Sequence, residues 1–106
     1  MDLRFMRTIV SFDLPTLTAV QRRNYRKFVK FLKKQGFIML QESVYVKLSL
    51  NQSSVDVTMR TLANNKPPEG SVIALTVTEK QFAGMTFLVG DFKTDVINNE
   101  ERYIEL

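Results

Sequence analysis

Thr18–Gly36 reads TAVQRRNYRKFVKFLKKQG and carries seven of the fifteen basic residues: Arg22, Arg23, Arg26, Lys27, Lys30, Lys33 and Lys34. No acidic residue falls between Leu14 and Gln41. At helical pitch the seven side chains share an arc of about 140°. Tyr25, Phe28, Val29 and Leu32 follow the i, i+3, i+4, i+7 spacing and point nearly the opposite way. The spacing therefore predicts a helix buried on one side and densely cationic on the other. Thr18 and Gln21 stand at capping-box spacing, and Gly36 follows the last turn as a C-cap. Arg22/Arg26, Arg26/Lys30 and Lys30/Lys34 are like-charge pairs that each cost a few tenths of a kcal/mol (~0.2–0.5). A helix kept for packing alone would gain by mixing in glutamates, so the arc is read as facing a polyanion.

Outward from this helix, the preceding run Arg4–Phe12 is rich in Ile, Val, Phe and Thr and reads as a strand ending at Asp13 and Pro15. After the helix, Phe37–Leu50 is a long extended segment, interrupted at Gln41-Glu42-Ser43 as by a bulge. A second helix is expected from Ser54 to about Asn65, under a serine cap, with Val55, Met59 and Leu62 inward. Asn64–Pro68 breaks it. Gly70–Thr78 reads as a third strand, Glu79-Lys80-Gln81 as a tight connection, and Phe82–Val89 as a fourth strand. Residues 91–106 are expected to be a tail or edge strand, with Glu101–Leu106 able to pair.

Taken strictly the order is β-α-β-α-β-β-β; with the long segment folding as adjoining strands it becomes β-α-β-β-α-β plus a terminal strand. An α+β ferredoxin-like sandwich fits best: a four-stranded antiparallel sheet with both helices on one face. The other face, with apolar residues such as Tyr45 and Phe82, is expected to be covered by a second subunit.

The 106 residues make one small domain, 1–106, with 44% hydrophobic and 25% charged residues. Net charge is +4, which favours an anionic partner. There is no cysteine and no histidine, so disulfides, thiolate or imidazole metal sites and a histidine base are all excluded. No apolar run reaches membrane-spanning length, and the N-terminal run is broken by Arg7 and Asp13, unlike a signal peptide. A soluble, cytoplasmic protein is expected.

Five pieces together carry a resemblance: Arg7–Pro15 (RTIVSFDLP), Arg22–Phe28 (RRNYRKF), Gly36-Phe37, Gln41–Tyr45 (QESVY) and Thr76–Phe82 (TVTEKQF). In order, spacing and length the chain resembles CRISPR-associated protein two, the small partner of the CRISPR integrase, and looks most like its type II-A branch. The resemblance implies a ferredoxin-like homodimer with its two sheets packed on each other. It implies a place between two dimers of the integrase, CRISPR-associated protein one, holding the protospacer duplex, with integration chemistry in the integrase. It also implies a metal-dependent endonuclease activity, on RNA or DNA, centred on the aspartate that ends the first strand, here Asp13.

Asp13 would then be both catalytic residue and metal ligand. One Mg²⁺ shared across the dimer would take the two Asp13 copies and fill its octahedron with water. The alternative is structural: an aspartate before a proline caps a turn, or pairs with Arg7 or Arg22. A small toxin-like or antitoxin-like RNase would share the fold, but the TVTEKQF segment and the basic helix favour the adaptation family. Tyr25 and Phe28 are assigned to the core rather than to base stacking, and Phe31 lies off that face. Arginines and lysines without base readers suit backbone contact with duplex DNA. Tyr103, Ile104 and Leu106, ending the chain after a polar loop, suit edge-strand addition to a partner.

Overall fold

The computed structural model describes residues 5–91. β1 (Met6–Asp13) leads into α1 (Ala19–Lys34), then β2 (Ile38–Gln41), β3 (Val44–Ser49), α2 (Gln52–Asn64), β4 (Ser71–Thr78) and the short α3 (Glu79–Ala83). The four strands form one sheet in the order β2-β3-β1-β4. Each neighbouring pair is antiparallel. This is the expected ferredoxin-like α+β arrangement.

Alternation along β1 explains the layers. Val10 and Phe12 point to the helices and form the main core with Phe28 and Leu32 of α1, Leu62 of α2, Leu14, Phe37 and Tyr45. Fully burying each such side chain contributes about 1.5–3 kcal/mol. Phe12 is the hub of this layer. Its ring meets Phe28 edge-on at 5.3 Å and Tyr25 at 5.8 Å, and stacks on Tyr45 at 5.9 Å. Ile9, one residue out of phase with Val10, joins the opposite face beside Val46, Leu40, Val77 and Phe82.

Several elements differ from the sequence reading. Phe37–Leu50 is not one bulged strand but a hairpin, turning at Ser43 with φ 64°. Val44 and Val46 still share a face with Ile38, as their parity requires. Tyr45, of opposite parity, pairs with Val10 and is buried beneath the helices, so it is no part of the open face. Phe82–Val89 is not a strand. Phe82 lies in α3, buried against the sheet face that α1 and α2 leave free. Thr78 caps α3 with a capping box to Gln81, the same device that Thr18 and Gln21 use for α1.

In α2 the cap is Asn51, whose side chain accepts from the Ser54 amide at 2.9 Å, and no serine is used. Thr58 turns inward there, while Met59 is 39% exposed. Phe31 is half-buried and stacks on Phe28 at 6.2 Å, so it belongs to the core flank after all. Arg4 and the segment holding Tyr103, Ile104 and Leu106 lie outside the described residues.

Candidate nucleic-acid interface and carboxylate site

α1 starts where its sequence says it should. The Thr18 hydroxyl accepts from the Gln21 amide at 3.1 Å, and Gln21 Oε1 accepts from the amides of Thr18 (3.0 Å) and Leu17 (2.9 Å). Such a cap is worth about 1 kcal/mol. With Phe28 and Leu32 buried, all seven cations Arg22, Arg23, Arg26, Lys27, Lys30, Lys33 and Lys34 are exposed. Among the described residues none of the seven forms a salt bridge.

Arg22 has a second task. Its Nη1 donates to the carbonyls of Thr16 (3.2 Å) and Leu17 (3.0 Å), tying the loop after β1 to the first turn of α1. The other cations have no such tether to a described residue, and Lys33 and Lys34 sit in the last turn, where the helix dipole favours positive charge. Tyr25 and Val29 leave a shallow groove beside Arg26, Lys30 and Lys33, so aliphatic stems and a ring edge underlie part of the cationic surface.

Asp13 is the exposed last residue of β1, paired across the sheet with Ser71. Phe12, locked among three rings, points inward, so alternation turns Asp13 the other way. Gly70, at φ +89°, lets the chain entering β4 pass close by. A Cβ built there would lie 2.6 Å from the Asp13 carbonyl oxygen and 3.0 Å from the Leu14 Cα.

Neither structural role suggested for Asp13 is realised. Arg7 instead pairs with Glu79, and Arg22 with backbone carbonyls. The Asp13 carboxylate has no hydrogen bond or ion pair to a described residue. Nor do the described residues hold any group of three or more acids that could cage a metal. Asp13 is thus a carboxylate without a partner among the described residues, and Mg²⁺, which keeps most of its waters, needs only one or two protein carboxylates.

Sequence reasoning missed the Arg7–Glu79 pair, which spans 72 positions and has no local signature. It also missed the Thr78–Gln81 cap, whose signature was present.

Known proteins share this chain's sequence pattern and fold. The family model for CRISPR associated protein Cas2 matches residues 6–85. A protein of Treponema denticola named CRISPR-associated endoribonuclease Cas2 is 52% identical over 101 residues, covering 95% of this chain and all of that one. A protein of the same name from Streptococcus mutans is 50% identical over 101 residues, covering 95% of this chain and 93% of its own. A solved structure described as a crystal structure of Cas2 superposes with a TM-score of 0.58 at 21% identity, over 85% of this chain and 92% of that one. At that identity it speaks for the fold alone.

Proposed function

The chain belongs to the Cas2 family of CRISPR-associated proteins, and from that premise we propose that it serves chiefly as a non-catalytic or weakly catalytic, homodimeric subunit of the CRISPR adaptation complex. In this role it bridges dimers of the integrase, CRISPR-associated protein one, and holds the protospacer duplex on its basic surface. The observation that carries the reading is the α1 arc: seven exposed cations with no acidic partner among the described residues. A surface that self-repels without its ligand is stabilised by one, and phosphates release condensed counterions as they bind.

Dimerisation is supported by the sheet face opposite α1 and α2. Ile73 and Leu75 are 65% and 62% exposed there, beside Ile9, Val44 and the buried Phe82. A second copy would remove this apolar surface from water. Among the described residues β4 is an edge strand, and that edge suits addition of the segment carrying Tyr103, Ile104 and Leu106.

The test is size-exclusion and light scattering of the chain with its cognate integrase and a short duplex. A ternary complex containing a dimer of this chain supports the role. A monomer at micromolar concentration that joins neither partner refutes it.

A second reading has its own support: relatives named endoribonuclease, and an Asp13 free of structural duty. Two Asp13 copies would hold one Mg²⁺, which when bound supplies an activated water. The chain's own part is to offer the carboxylates, with Phe12 and Gly70 fixing where they stand.

A further inference from the structure

A second groove lies on the α2 side of α1, between that helix and the connection from α2 to β4. Lys27 lines one wall and Lys66 the other, with Asn24 and Phe31 from α1, Asn64, and the prolines after Lys66. We infer that this groove is a second phosphate strip, where Lys66 extends the nucleic-acid path from α1 onto the α2–β4 connection. The inference rests on the proposed duplex-binding role and names where the strand runs.

Three observations carry it. First, both lysines are exposed, and neither forms a salt bridge to a described residue. No carboxylate-bearing residue lines the groove. Two uncompensated cations facing one trough raise its potential and concentrate an anion there.

Second, Lys66 follows a residue that is tethered to the end of α2. The Asn65 amide donates to the Leu62 carbonyl at 3.1 Å, and Asn65 Nδ2 to the Thr61 carbonyl at 2.8 Å. Pro67 then restricts Lys66 to extended backbone. The lysine is therefore presented from a fixed base, which lowers the ordering cost of binding.

Third, Asn24 and Asn64 make no side-chain hydrogen bond to a described residue. Their amides can donate to phosphate oxygens beside the lysines, the usual positioning contacts to a backbone. The occupant that fits cations and neutral amide donors without a carboxylate acceptor is the sugar-phosphate backbone of one duplex strand. An acidic peptide is the competing polyanion, and the nucleic-acid premise decides against it.

The experiment compares wild type, Lys66→Ala, Lys66→Arg, Lys27→Ala/Lys66→Ala and Arg26→Ala/Lys30→Ala. Binding to a 30-base-pair DNA duplex and to a single strand of the same length is measured across a salt series. Each duplex contact contributes about 0.9 to the slope of log affinity against log salt. Lys66→Ala should therefore flatten the duplex slope by about 0.9 per chain, or about 1.8 per dimer, and the groove double variant by about twice that. Lys66→Arg should restore it. Since Lys66 is exposed on a loop, circular dichroism should show an unchanged fold.

If Lys66→Ala keeps the wild-type slope while Arg26→Ala/Lys30→Ala flattens it, the groove is off the path and the inference fails, with the α1 reading intact. If neither changes the slope, the duplex-binding role falls and takes the groove with it. A loss confined to the single strand would also overturn the assignment to duplex backbone.

Discussion

Arg7 and Glu79, 72 residues apart, meet in a two-point ion pair: Arg7 Nε to Oε1 at 2.8 Å and Nη2 to Oε2 at 3.0 Å. Arg7 is buried on the sheet face away from α1 and α2, and its guanidinium lies 4.6 Å from the Phe82 ring centroid. The pair therefore clips α3 to β1. Among the described residues Nη1 of Arg7 is buried without a hydrogen-bond partner, so the guanidinium's desolvation is only partly offset.

Removing one partner should cost far more than removing both. Glu79→Ala leaves a buried cation unpaired and should destabilise by about 3–5 kcal/mol. Arg7→Met with Glu79→Leu should come within about 1 kcal/mol of wild type, because well-packed apolar replacements of buried pairs are often neutral. Urea unfolding of the three proteins checks this. A Glu79→Ala midpoint equal to wild type would mean the pair holds nothing.

The two capping boxes should behave alike. Thr78→Ala deprives the Gln81 amide of its acceptor at 3.1 Å, as Thr18→Ala does for Gln21. Each should cost about 1 kcal/mol. For Thr78 the loss should appear first as faster amide exchange in Glu79–Ala83, since so short a helix depends on its cap and on Phe82.

That pair of caps also marks where the fold was legible. At Thr18 the box preceded a clean amphipathic period, so motif and pattern agreed and α1 was read to within a residue. At Thr78 the same T-x-x-Q spacing preceded an apolar run, Phe82–Val89, that satisfied strand propensity, and the propensity prevailed. Burial of Phe82 against the sheet decides otherwise, and no local pattern reports a tertiary contact. Tyr45 was a parity error. It alternates with Val44 and Val46, so it had to face the helices once they faced away. The cationic arc was readable because exposure follows from periodicity. The isolation of Asp13 was not, since it depends on Arg7 finding Glu79 and Arg22 finding carbonyls.

Gly70 should resist substitution. Its φ of +89° and the approach to the Asp13 carbonyl leave no room for a side chain. Gly70→Ala combines a left-handed penalty of about 1–2 kcal/mol with a steric shift of the β1 end. Gly36, also at positive φ, meets only the flexible Lys47 stem at 3.8 Å, so Gly36→Ala should show the conformational penalty alone. Thermal melts of the two variants should rank Gly70→Ala lower.

Stability should fall at alkaline pH through Tyr45. Burial, then the neighbouring Tyr25 and Glu42, hold its hydroxyl above the usual tyrosine pKa of 10.0. The raised value means the folded state keeps a proton that the unfolded chain has begun to lose. The contribution is therefore complete below pH 10 and is lost as pH rises toward the folded value. Tyr45→Phe should flatten the decline in unfolding free energy above pH 10. An unchanged decline would place its origin in other groups.

Asp13 separates a scaffold from an enzyme. Its side chain is exposed and has no partner among the described residues, so Asp13→Asn removes charge without removing packing. Folding stability should stay within about 0.5 kcal/mol of wild type, the usual range for surface changes away from special features. Dimer mass and the salt slope for duplex DNA should also be unchanged, because the proposed phosphate contacts belong to the cations of α1 and to Lys66, not to Asp13. Any cleavage of RNA or DNA that depends on Mg²⁺ should vanish, since no group of three acids among the described residues could replace the lost ligand. The decisive comparison is spacer integration by the complex assembled with wild type or Asp13→Asn. Equal integration assigns the chain a scaffold role whatever nuclease activity it carries. Loss of integration in a complex that assembles normally would make Asp13 part of the reaction.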